Sequence, residues 1–487
     1  MAIHRRNFLR GALGAAGLAA ASTGLGALAP LVRIKPAWGG GGMATRRLVL
    51  VGIGGGLRLR ESLGMAEGAT MPNLFGTTPL VTGFGSGPAG APRIAPEYAA
   101  AARPLVLPAP RATPLHTQGT LVTNLRYADG PPGHLQGHGC LLSGSYNMIE
   151  NRADARLTTP TIFEIHRKAA SAPSTDAWYL SNPGGFYRAL LTSDHPLYGA
   201  RYAPTYLQPP GVMSPLVPIV TSGKRSLDVG TDALPTVPQH AAEDAAVARL
   251  SAVIDANTPT WDRDDLFPHA EADEAGEVQN HVGRFFADAT YQTYFPDAFG
   301  IGMRAQDGSL DSTPDALTVF HAERVLDTFQ PALLAMTLLD VDTCHQDFNG
   351  YLRAQQIADA AVNHLWSFIQ SHPSLRDETT LIVMPEHGRH LFFNGQNPDS
   401  LGRSGIDHGQ GDDGDRNTWV LMLGPDIRAN QVIAPTGITQ TGRTSGRYET
   451  IDAVMTGMTL LGHGDRLAGD LTTANKRPGL VVEEVLA

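Results

Sequence analysis

The chain has 487 residues, 42% of them hydrophobic and 17% charged, which is enough apolar material for a large core and too much for a disordered polymer. The formal net charge is −10, and residues 1–42 hold five basic residues and no acids, so the chain beyond them carries −15. A surface of that sign repels a phosphate backbone and argues against nucleic acid as a partner.

Residues 1–42 read as a signal peptide and tether. His4-Arg5-Arg6-Asn7-Phe8-Leu9-Arg10 precedes an uncharged, Ala- and Gly-rich stretch from Gly11 to Val32, the order of a twin-arginine export signal. That stretch is long enough to span a bilayer, but its small residues make it weakly apolar, which favours a cleaved signal over a retained anchor. The expected partner is the twin-arginine export machinery, the expected location is periplasmic or secreted, and no stable membrane span is expected once the signal is gone. Cys140 and Cys344 would then sit in an oxidising compartment, either as one disulfide or as two buried thiols.

In chain order, Arg47 to Ile53 is an apolar run that ends in Gly54-Gly55-Gly56, a buried strand passing into a tight turn. The further Gly and Lys of a nucleotide-phosphate loop are absent. Residues 64–118 are rich in Gly, Pro and Ala and read as irregular. Thr120 to Asn124 suggests a strand, Gly133 to Asn147 a loop leading into a helix, Pro160 to Ala170 a helix with proline in its first turn, and Ala177 to Ser181 a strand. Alternating strands and helices predict an α/β domain over residues 43–487. The pattern weakens over 182–330, which contains proline-rich pieces and two acidic segments, 242–256 and 262–277, and reads as an inserted cap. The periodicity then predicts a helix over 314–330, a strand over 332–340, a helix over 351–370, strands over 379–384 and 418–423, and a last helix over 448–461.

The last third places metal-ligand residue types beside these strands: Asp342 and His345, Glu386 and His387, Asp407 and His408. Open α/β sheets gather their sites at the carboxyl ends of parallel strands, so the three groups predict one shared crevice and a two-metal hydrolase centre. Carboxylate and imidazole together suit a divalent ion, zinc first, with manganese or calcium as alternatives. Arg389 is a candidate contact for a substrate anion, or else the partner of an acid at the surface. Asp412, Asp413 and Asp415 read as solvated loop acids rather than a calcium site.

Several segments resemble the alkaline phosphatase and sulfatase superfamily. Thr379 to Gly388 is similar to its strand followed by Asp-His-Gly, Leu141-Leu-Ser-Gly-Ser-Tyr146 resembles the Leu-Leu-Thr-Gly-Arg-Tyr segment after its nucleophile, and Glu449 to Gly462 resembles its final helix. Val341-Asp-Thr-Cys-His345, Pro385-Glu-His-Gly-Arg389 and Asp407-His-Gly409 are similar to the Trp-Asp-x-His, Ser-Glu-Phe-Gly-Arg and Asp-His-Gly motifs of a twin-arginine-exported, sulfatase-like domain-of-unknown-function family. The resemblance covers residues 46–180 and 315–465. It implies an alkaline-phosphatase-like three-layer sandwich with a mostly parallel central sheet and an inserted cap region, acting on phosphate or sulfate esters of an anionic small molecule or glycan.

The resemblance also implies one metal held by Asp342, His345 and His408, with Asp340 as the alternative because the spacing to His345 is one residue short. It implies a second metal held by Glu386, His387, an early Asp and the nucleophile. The early Asp falls on Gly54 or Gly55 and the nucleophile on His134, with Gln136 and His138 where sulfatases carry Pro and Arg. A formylglycine sulfatase is thereby disfavoured. His134 is left as nucleophile, ligand or base, and His138 as a further site residue; either metal-activated water attacks directly, or the two histidines help hold metal in place of the missing Asp. The competing class is a non-catalytic protein on the same fold that binds an anionic polymer.

Overall fold

The computed structural model describes residues 42–64, 69–83, 92–101, 107, 109–147, 156–181, 184–199, 202–207 and 313–487. Its strands are β1 (Arg47–Ile53), β2 (Thr120–Arg126), β3 (Ala177–Ser181), β4 (Thr205–Leu207), β5 (Leu333–Leu338), β6 (Thr379–Pro385), β7 (Asn417–Leu423) and β8 (Gln431–Ile433). They form one sheet in the order β4-β3-β5-β1-β6-β7-β2-β8. The pairings of β1 with β5 and β6, of β3 with β4 and β5, and of β2 with β8 are all parallel. Only β7 runs the other way, antiparallel to both β6 and β2.

Side chains alternate across a strand, and β1 shows what that does here. Val49, Val51 and Ile53 enter one core, shared with α3 (Pro314–Phe329) and α4 (Phe348–Ser371). Leu48 and Leu50 enter the other, shared with α1 (His134–Ser143), α2 (Ile162–Ala169), α5 (Thr450–Leu460) and α6 (Gly464–Thr473). The continuous apolar runs in the central strands follow from cover on both faces, and the result is a three-layer α/β/α sandwich. Helix starts are set locally. Thr161 and Glu164 form a capping box on α2, Thr313 accepts from Ala316 N ahead of Pro314 on α3, and Asp347 caps α4.

The structure adds to the sequence reading at three points. Within the stretch read as an inserted cap, 182–330, Thr205–Leu207 is paired into the sheet, while α3, predicted over 314–330, packs in the core from Ala316 to Leu326. The acidic segments 242–256 and 262–277, and the export signal, lie outside the described residues. Cys140 and Cys344 are buried free thiols in separate clusters, so the second of their two readings holds. Third, Gly464–Thr473, left unread in the sequence, forms a helix. Among the described residues no helix is long and apolar enough to cross a membrane.

Candidate metal centre

The topology brings the ligand-bearing segments to one edge. β1, β5, β6 and β2 are parallel, so the turn Gly54–Gly56, the segment Asp340–His345, the pair Glu386-His387 and the lead into α1 all leave the sheet on the same side. Because β7 is antiparallel, it is its beginning that lies at this edge, and the loop ahead of it delivers Asp407 and His408 there. A ligand that precedes its strand therefore joins ligands that follow theirs.

Two donor sets result. His134, Asp342, His345 and His408 lie with one potential ligand atom each within 4.8 Å of one another, and so do His134, Glu386 and His387. His134 belongs to both. Its Nδ1 is 2.8 Å from Glu386 Oε1 and its Nε2 is 3.3 Å from Asp342 Oδ2. Asp342 Oδ1 lies 3.3 Å from His345 Nε2 and 3.7 Å from His408 Nε2. Asp340, the alternative ligand, turns away: its carboxylate accepts from Asp315 N at the start of α3.

The tautomers of three histidines follow from their outer partners. His387 Nδ1 donates to Gly388 O at 2.7 Å, His408 Nδ1 to Pro132 O at 3.2 Å, and His345 Nδ1 faces Asp407 Oδ1 at 2.8 Å. A proton on Nδ1 leaves the lone pair on Nε2, the arrangement found around ligating imidazoles. The Nε2 atoms of His387 and His408 are buried and have no hydrogen-bond partner among the described residues. Buried polar atoms are almost always paired. Orphaned imidazole nitrogens facing two carboxylates are the donor set a divalent cation takes, so the residues present suit a metal of the zinc class.

His138 lies one turn along α1 from His134, 1% exposed, its ring stacked on Tyr187 at 3.8 Å between centroids. Its Nδ1 pairs with Glu386 and its Nε2 is 2.7 Å from Thr337 Oγ1, which in turn meets Tyr179 Oη at 2.7 Å. It thus buttresses Glu386 from below rather than facing the crevice. Arg389 is fully buried, and its guanidinium donates to Asp342 Oδ1 at 2.5 Å, Ile406 O at 2.6 Å and Gly56 O at 3.3 Å. With no surface open to a substrate, it is corrected from anion contact, and from surface pairing with an acid, to a buried ion pair with Asp342. The turn after β1 offers no side chain here; Gly55 N donates to Glu386 Oε1 at 2.5 Å.

Electrostatics follow the packing. Burial opposes charge on His134, but Glu386 and Asp342 outweigh it and raise its pKa to about 10. Burial also opposes ionisation of Asp342 and Glu386, yet the neighbouring imidazoles of His134, His345 and His408 hold Asp342 far below the carboxylate range, and His138, His387 and His134 do the same for Glu386. His408, buried and close to His387, is pushed down to about 3. Sequence reasoning missed Thr337, Tyr179 and Tyr187. Thr337 alone carried a signal, as a polar residue within an apolar strand.

No family model and no curated protein matches the chain. Among solved structures it is similar to an alkaline phosphatase PafA mutant, at 10% identity over 91% of this chain and 99% of that one, with a TM-score of 0.41. It is similar to the phosphonate monoester hydrolase of Agrobacterium radiobacter, at 14% identity over 90% and 77% with a TM-score of 0.38. It is also similar to a 2-O GAG sulfatase, at 12% identity over 86% and 71% with a TM-score of 0.34.

Proposed function

We propose that the chain is an exported, metal-dependent hydrolase of phosphate or sulfate esters carried by an anionic small molecule or glycan. The observation that carries this reading is the inward set of Nε2 atoms, from His345, His387 and His408, around Asp342 and Glu386. Asp342, His345 and His408 would hold one divalent ion, zinc first, and Glu386 with His387 a second. Bound there, such ions polarise an ester oxygen and acidify water. His134 directs both ring nitrogens at carboxylates of the two sets, which supports a ligand shared between them over a covalent nucleophile. Arg389 keeps Asp342 ionised and aimed, Asp407 orients His345, and His138 holds Glu386 against the sheet.

Metal content and ester hydrolysis test the reading together. Full-length protein purified without chelator is expected to hold one or two equivalents of zinc or manganese at this centre, and His345→Ala/His408→Ala to lose an equivalent and at least about 100-fold of activity toward an aryl phosphate or sulfate. Hydrolysis that survives the double substitution would rule the mechanism out. A folded wild type that takes up no metal would favour the non-catalytic, anion-binding alternative. Export rests on Arg5-Arg6 and the uncharged run after them: Arg5→Lys/Arg6→Lys is expected to remain in the cytoplasm, and a variant recovered from the periplasm would refute the twin-arginine route.

A further inference from the structure

Beyond the two donor sets of the proposed centre, His390, Asp412 and Asp415 form a third group whose potential ligand atoms lie within 4.8 Å of one another. We propose that this group binds a divalent cation of its own, of the zinc or manganese class, which ties the loop carrying His408 to the segment following β6.

His390 Nδ1 stands 3.0 Å from Asp412 Oδ2 and 3.2 Å from Asp415 Oδ1. Metal–ligand bonds of about 2.0 Å at tetrahedral angles put ligand atoms about 3.3 Å apart, so the spacing is close to that of ligands on a common ion. A single Nδ1 proton serves one of these carboxylates well. It is used on Asp412, and Asp415 Oδ1 remains without a hydrogen bond among the described residues. Asp415 is fully buried, and its other oxygen is already satisfied by Gly411 N at 2.7 Å and Gly409 N at 3.2 Å. A carboxylate oxygen held rigidly in the interior and aimed at an imidazole and a second carboxylate calls for a positive centre between the three. This also corrects the reading of the acids as solvated: Asp413 is exposed at 73% of its side chain, whereas Asp415 is not exposed at all.

The place in the fold supports a structural cation. Gly388 N donates to Asp415 O at 2.6 Å and His390 N to Asp407 O at 3.0 Å, so the segment after β6 and the loop before β7 already run together. His390 comes from the first, Asp412 and Asp415 from the second. An ion held by all three joins them beside His387 and His408 without being a ligand set for the reacting crevice, and the donor mix of one imidazole and two carboxylates is that of zinc or manganese rather than of calcium.

Calorimetric titration of chelator-stripped full-length protein with Zn²⁺ tests the site, comparing wild type, His390→Gln and Asp342→Asn, each checked for folding by circular dichroism. The expected result is that His390→Gln binds one equivalent fewer than wild type and that Asp342→Asn retains the equivalent His390→Gln has lost. A folded His390→Gln that binds as many equivalents as wild type overturns the inference, with Asp415 then neutralised by a proton. Should His390→Gln fail to fold, Asp412→Asn carries the same expectation, since that side chain is 36% exposed. Loss in Asp342→Asn alone removes this site and leaves the proposed centre standing. Loss in His390→Gln alone does the reverse.

Discussion

His134 differs from the other histidines of the centre in what its two nitrogens face. His387 and His408 each spend Nδ1 on a backbone carbonyl and keep Nε2 for the interior, whereas His134 meets Glu386 with one nitrogen and Asp342 with the other. In metal-free protein it is therefore an imidazolium between two carboxylates, with its pKa raised from 6.5 to about 10. A raised folded-state pKa contributes stability that is complete below pH 6.5 and lost as pH climbs through about 10. Comparing chelated wild type with His134→Gln by urea unfolding isolates that contribution. The stability gap is expected to be constant below pH 6.5 and to close as pH approaches 10; a gap that widened with pH would mean that His134 is neutral in the folded chain. Residue chemistry at this level was partly legible. Asp342, His345, Glu386, His387 and His408 stand out as ligand types beside strands, but Arg389's role was left open because nothing in its local sequence records that Gly56 O, Ile406 O and Asp342 surround it.

At the level of elements, the turn after β1 sets how closely the ligand segments approach. Gly55 and Gly56 have φ of +86° and +77°. A Cβ on Gly56 would collide with Gly388 O and sit 2.5 Å from His387 Nδ1, and one on Gly55 would sit 2.7 Å from Asp342 Cβ. Gly395 has almost the same φ, +76°, with nothing within 4 Å of its notional Cβ. Gly395→Ala is thus expected to show backbone strain alone, about 1 kcal/mol. Gly56→Ala adds the collision, for about 2–4 kcal/mol in total, and weakens zinc uptake by displacing His387. Thermal melts and zinc titration of the two variants make the comparison, and equal losses would show that the turn does not position the ligand. The apolar run and the glycines were visible in the sequence. That the glycines abut His387 and Asp342, more than 280 residues further along, was not, because local periodicity carries no record of the partner across the sheet.

For the whole molecule, the two donor sets concentrate two carboxylates and four histidines at one edge of the sheet, and metal binding there would be part of folding stability. A cation that binds only the folded chain, supplied at about 100 times its dissociation constant, adds about 2.7 kcal/mol. Protons compete for the same nitrogens: His134 and His345 both have raised pKa values in the metal-free chain, His345 chiefly through its hydrogen bond to Asp342. Zinc must displace those protons, so its stabilisation grows with pH. Melting temperatures with zinc and with chelator are expected to differ more at pH 8 than at pH 6. A difference that is absent at both would remove the metal from the folded state.

What the sequence determined by itself is the α/β class, the strands whose ends carry the candidate ligands and most of the ligand-type residues that come together there. The continuous apolar runs of β1, β3, β5, β6 and β7 are local consequences of burying both faces of a sheet, and the period-3.6 patterns of α3 and α4 of burying one face of a helix. Only the tertiary structure decided which way β7 runs, and hence that the loop before it rather than after it reaches the ligand edge. It alone decided that Thr205–Leu207 belongs to the sheet, that Asp342 rather than Asp340 faces the crevice, and that Asp415 is buried beside His390. These are matters of strand direction and of side-chain neighbours distant in the chain, which depend on long-range packing and leave no periodic trace.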